Sequence, residues 1–97
     1  MSAYIVVDIT IKDAILYEEY RRRAPASIAK YNGTYLVRGG ATAVLEGTWS
    51  PKRLVILEFP TVEQASAWWN SPEYAPAKEI REQCADANML LVEGIDA

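Results

Sequence analysis

Histidine is absent from the 97 residues, and cysteine occurs once, at Cys84. The first absence removes Ser-His and Cys-His nucleophile pairs, histidine-ligated haem and every zinc site that needs an imidazole. The second removes thiolate metal clusters and any disulfide within the chain, and makes the cytoplasm the expected compartment. No apolar run approaches the roughly 20 residues of a membrane-spanning helix, so a membrane is not an expected partner. The start, Met1-Ser2-Ala3-Tyr4, lacks the basic region and long apolar segment of a signal peptide. Basic charge is also scarce: 10 Lys and Arg stand against 13 Asp and Glu, a net charge of −3. The one basic run, Arg21-Arg22-Arg23, follows Glu18 and Glu19. It reads as a solvated helix face, and no nucleic-acid partner is expected. No metal or cofactor is expected either. Any catalysis would rest on Tyr, Arg, Asp, Glu, Trp, Asn or backbone groups.

What is present is a globular composition, 51% hydrophobic and 24% charged, on a length that makes one domain over residues 1–97. Residues 3–11 alternate with period two: Ile5, Val7, Ile9 and Ile11 on one face, Tyr4, Val6, Asp8 and Thr10 on the other. Asp13 is placed to cap a helix, and Tyr17, Tyr20, Ala24, Ile28 and Tyr31 form its apolar stripe. Pro25 has no N–H for residue 21, so a kink or restart is expected there. Asn32-Gly33 supplies the left-handed stop. A strand follows at 34–38, then an irregular arm over 41–52 with a short strand near Ala43–Glu46, then a central apolar strand at Arg53–Phe59. Thr61 with Gln64 opens a helix to about Trp69, Ser71-Pro72 opens another to about Cys84, and 88–93 is the last strand. Ala77, Ile80 and Cys84 are the expected buried stripe of that last helix.

The order strand, helix, strand, strand, helix in two pieces, strand is that of an α+β, ferredoxin-like βαββαβ fold. It has a four-stranded antiparallel sheet with both helical layers on one face. The other face is left bare and partly apolar, and a second copy would hide it, so a homodimer through sheet-to-sheet packing is expected.

Several linked stretches also carry a family likeness. They are Gly33-Thr34-Tyr35-Leu36-Val37-Arg38-Gly39-Gly40, Leu45-Glu46-Gly47, the strand ending Glu58-Phe59-Pro60, and Trp69-Asn70-Ser71-Pro72-Glu73-Tyr74. Together they resemble domain-of-unknown-function family 1330, within the dimeric α/β-barrel superfamily. The resemblance implies a ferredoxin-like protomer dimerising as an α/β barrel, and it implies no particular reaction. The superfamily also holds cofactor-independent quinol monooxygenases, muconolactone isomerases and haem-degrading monooxygenases. The last typically rely on a histidine that this chain lacks.

Candidate site residues are Arg38, Tyr20, Trp69, Tyr74 and Asp8. Arg38, beside Gly39-Gly40, is either a guanidinium fork for a carboxylate or enolate, or an ion-pair partner of Glu46 or Glu58. Tyr20, Trp69 and Tyr74 would line a cavity with it, or would simply pack as core aromatics. The spacing Val62, Ala65, Trp69 turns Trp69 inward and leaves Trp68 partly exposed. Asp8 is a general base if burial raises its pKa, and otherwise a salt-bridge partner. Ser71 is a cap with no adjacent base, and Cys84 a small core residue. Two functions fit these residues. One is cofactor-free, monooxygenase- or isomerase-like conversion or binding of a small aromatic or carboxylate-bearing molecule, Arg38 holding an oxyanion and a tyrosine relaying a proton. The other is a non-catalytic dimeric ligand-binding or protein-interaction module.

Overall fold

The computed structural model describes residues 1–95, so the last two residues of the expected 1–97 domain lie outside it. The elements are β1 (Ala3–Ile11), α1 (Ala14–Lys30), β2 (Thr34–Arg38), β3 (Leu54–Phe59), α2 (Val62–Trp69), α3 (Ala75–Cys84) and β4 (Ala85–Glu93). The four strands form one antiparallel sheet in the order β2-β3-β1-β4, with β1 and β3 central. This is the ferredoxin-like α+β fold. Ile5, Val7 and Ile9 of β1 are buried beneath the helices with Val55, Leu57 and Phe59 of β3. Each alternates with half-buried or exposed neighbours, as a sheet covered on one face requires.

Local chemistry accounts for the element ends. The Asp13 carboxylate accepts from the backbone N–H groups of Ile15 and Leu16, starting α1. Asn32 takes the left-handed conformation (φ 64°) that ends the chain reversal after it. Thr61 Oγ1 accepts from the Gln64 N–H at the head of α2. Ser71 Oγ accepts from the Tyr74 N–H, but it caps a turn over 72–74 and α3 begins only at Ala75. That is a correction of the expected start. Likewise β4 begins at Ala85, three residues earlier than the apolar run suggests, because its first residues pair with the end of β1. The expected short strand near Ala43–Glu46 is absent, and residues 41–50 are irregular and exposed.

Two irregularities set up the site. Pro25 lies inside α1, yet the helix continues through it as one element. The Arg21 carbonyl, which loses its helical donor to the proline ring, accepts instead from the Arg38 guanidinium at 3.2 Å. On β2, the pairing with β3 slips by one residue between Tyr35 and Val37. A one-residue slip exchanges the faces of a strand. Arg38 therefore lies opposite buried Val55, on the same helix-covered side as Tyr35, which lies opposite Leu57.

Candidate functional site

Beneath the first two turns of α1, side chains from the sheet, α1 and α2 enclose a cavity of about 30 Å³, room for one or two waters. Tyr17 and Tyr20 come from α1, Tyr35 and Arg38 from β2, and Arg53 from the residue before β3. Val7, Val55 and Leu57 belong to the floor, and Trp68 closes the back. Exposed Arg21 and Arg38 stand at the rim. The lining contains three arginines and no carboxylate.

Arg53 is the least satisfied group in this wall. Its Nε is buried and has no hydrogen-bond partner. Its guanidinium lies 5.7 Å from the Tyr17 ring centroid. On the other side it presses against Gly39, whose φ is +74° and where a Cβ would come within 2.3 Å of Nη1. The backbone conformation favours glycine there, and a side chain would push the guanidinium aside. Arg38 is better provided for, with its guanidinium 4.6 Å from the Tyr35 ring and bonded to the Arg21 carbonyl. Among the described residues it makes no ion pair with Glu46 or Glu58, so the expected pairing is replaced by the carbonyl that Pro25 frees.

Behind Tyr20 runs a buried polar chain. The Tyr20 and Tyr74 hydroxyls are 3.0 Å apart, and Arg81 Nε donates to the Tyr74 oxygen over 3.5 Å. Burial, reinforced by Tyr74 beside it, pushes the Tyr20 phenol well above its ordinary range. Tyr20 therefore stays protonated and acts as a donor, not a base. Burial raises Tyr35 in the same sense.

The sequence candidates do not all meet. Tyr20 and Arg38 share the cavity, whereas Tyr74 is fully buried behind it. Trp68 and Trp69 exchange the roles expected of them. Trp68 is buried, stacked 4.1 Å from Tyr74 and 5.6 Å from Phe59, and its indole N–H donates to Ser27 Oγ at 3.1 Å. Trp69 is only half-buried, with Lys78 Nζ 3.7 Å above its ring. The reason is the axis of α2: Ala65 and Trp68, three apart, face the core, and Val62 and Trp69 flank them half-buried. Trp68 thus fills the space between Tyr20, Trp69 and Tyr74 in which a cavity was expected. Trp69 lines a separate groove of about 290 Å³ with Asn70, Met89 and Leu91, between α2 and the edge strand β4.

Asp8 is on the bare face of the sheet, away from the cavity. Its carboxylate accepts from Trp49 Nε1 at 3.0 Å and from the Lys52 N–H at 3.1 Å, and so pins the 41–52 arm. That occupies it as an anchor, in place of the salt bridge or general base expected of it. Cys84 is buried, and burial pushes its thiol up. The arginine run is engaged with acids of its own helix: Arg21 with Glu18, Arg22 and Arg23 with Glu19. No cluster of three or more metal-ligating side chains occurs among the described residues.

Arg53, Tyr17 and Tyr35 belong to the site without having been singled out in the sequence. For Arg53 the signal was there, since it shares the parity of buried Val55, Leu57 and Phe59 and so had to face the helices.

Comparison with known proteins gives the family and the fold. The family described as Domain of unknown function (DUF1330) matches residues 2–95. No curated protein matches the sequence. Among solved structures, a protein of unknown function from Rhodopseudomonas palustris aligns over 99% of this chain and 84% of its own, with 17% identity and a TM-score of 0.78. SnoaB, a cofactor-independent oxygenase from Streptomyces nogalater, aligns over 99% and 95%, with 12% identity and a TM-score of 0.67. A dimeric protein of unknown function with a ferredoxin-like fold, from Bacteroides fragilis, aligns over 96% of both chains at 15% identity and a TM-score of 0.63. At these identities the likeness is one of fold.

Proposed function

The chain belongs to the DUF1330 family, and from that membership and the cavity under α1 we propose that it is a homodimeric, single-domain cytoplasmic protein that binds a small aromatic or carboxylate-bearing molecule. The observation that carries this reading is a cavity walled by arginines and tyrosines with no carboxylate in its lining. Arg21 is paired with Glu18, but Arg38 and Arg53 make no ion pair among the described residues; that positive charge favours an anion, and the aromatic walls favour a planar, apolar body behind it.

In its present form the cavity is too small for such a molecule. Arg38 is the movable wall: it is exposed, and one hydrogen bond to the Arg21 carbonyl ties it down. Swinging it outward opens the mouth. A reaction, where one follows, is cofactor-free and monooxygenase- or isomerase-like. Arg38 stabilises the developing oxyanion, and Tyr20, kept protonated by burial, donates a hydrogen bond to it. The fold shared with a cofactor-independent oxygenase supports this at the level of fold alone. The alternative, a non-catalytic binding module, draws on the larger groove beside Trp69 and on the absence of a carboxylate base from the cavity.

The dimer rests on the bare sheet face. By register it carries Tyr4, Val6, Ile56, Leu90 and Val92, with Leu90 58% and Val92 44% exposed. One sheet and one helical layer make a slab 36 × 34 × 16 Å, and this face is one of its broad sides. Burial against a second copy removes it from water. Thermal shift against a panel of small aromatic and carboxylic acids, with Arg38→Ala as control, tests the ligand reading. A rise in melting temperature that the substitution abolishes supports it, and unchanged melting with every compound contradicts it.

A further inference from the structure

We propose that Arg53, and not Arg38, is the carboxylate anchor of the cavity, and that the ligand enters carboxylate first with its apolar end toward the mouth; this rests on the ligand reading above and names its ligand class. Three observations converge on Arg53. Arg53 lines the cavity, and its Nε is buried with no partner, so its donors are not used up within the protein. Its guanidinium is held between the Gly39 backbone and the Tyr17 ring, so little freedom is lost when it binds. The lining offers it no carboxylate, so a charged acceptor has to come from outside.

Arg38 differs on each count. It is exposed at the mouth, and the carbonyl freed by Pro25 already takes one of its donors. Its part is to admit the ligand and close over it. Tyr20 adds a second neutral donor in the same wall. Arg81 donates to the Tyr74 oxygen, and the Tyr20 and Tyr74 hydroxyls share one hydrogen bond; when Tyr74 donates in it, the Tyr20 proton is free for the ligand. A cationic wall without a carboxylate discriminates by charge: it takes a planar carboxylate more tightly than the amide of the same shape, whose NH₂ would face the Arg53 N–H groups.

The probes are benzoate, its neutral isostere benzamide, and inorganic phosphate, titrated calorimetrically into the protein and its variants at neutral pH. We expect wild type to bind benzoate about tenfold or more tighter than benzamide, the scale of a hydrogen bond to a charged partner. Arg53→Gln should bring the two to near equality with benzamide binding retained, and Arg38→Gln should narrow the gap less. If Arg53→Gln does not fold, the side-chain Nε–H resonance of Arg53 in wild type replaces it, and it should shift with benzoate and stay in place with benzamide. Equal binding of benzoate and benzamide by wild type overturns this inference and leaves the small-molecule reading standing. A preference lost in Arg38→Gln but kept in Arg53→Gln overturns the assignment to Arg53. Phosphate bound as tightly as benzoate overturns the carboxylate class. Binding of none of the three overturns the reading of the cavity itself.

Discussion

Glu73 shows how much a single half-buried side chain can organise. Its carboxylate takes the Lys30 ammonium at 2.9 Å and the Tyr31 hydroxyl at 2.7 Å, joining the end of α1 to the turn before α3. The Lys30 hydrogen bond, then that of Tyr31, holds its pKa at about 2, down from 4.5. The unfolded chain therefore binds the proton more readily than the native one in this range. The stabilisation is complete above pH 4.5 and is lost as pH falls toward 2. Melting temperature against pH should fall through that window in wild type and fall less steeply in Glu73→Gln; parallel curves would contradict the assignment. Such pairings are invisible in a sequence, because they join residues whose separation along the chain carries no period. Arg53 was legible by parity alone, since the alternation of β3 extends back to it. Its lack of a partner was not, because that depends on what the helix, the arm and Gly39 fail to supply.

Among the elements, α1 and β2 depend on each other through defects. Pro25 leaves a carbonyl without a donor, and the bulge in β2 turns Arg38 toward it. Replacing Pro25 with Ala restores the helical N–H. This should stabilise the protein by roughly 1–2 kcal/mol, less than the full penalty of an interior proline because Arg38 already offsets part of it. A thermal melt below that of wild type would show that the proline is needed for the backbone path. The strand–helix order, the ends of β1 and β2 and the Asp13 cap were all legible, because each follows from a local period or a local hydrogen bond. The bulge was not, since a slip in pairing belongs to two strands at once. Nor was the choice between Trp68 and Trp69, because α2 offers two plausible stripes and its packing against Phe59 and Ser27 selects one. Trp68→Ala should therefore cost about 3–5 kcal/mol in chemical denaturation and Trp69→Ala less than half of that. Equal losses would mean that both indoles carry the core.

At the scale of the molecule, one layer of helices covers one face of the sheet and leaves the other bare, and that is the face on which the proposed second copy packs. Val6 is near the middle of that face, between Ile56 on β3 and Leu90 on β4. Val6→Asp should halve the mass found by light scattering at micromolar concentration while leaving the circular dichroism spectrum unchanged; a dimer that persists would move the interface elsewhere. The bare face was legible from period two and the element order. The cavity was legible only in its residue types, because its walls come from three separated segments and its location from the way Trp68 fills the neighbouring space. The account as a whole turns on where a carboxylate binds, and backbone amide shifts during a benzoate titration read that position directly. The account predicts that the amides of Tyr35, Gly39 and Leu54, around the Arg53 guanidinium, move together and saturably. Shifts confined to Ser66, Trp69 and Leu91 in the groove beside β4, or no shifts at all, would contradict it.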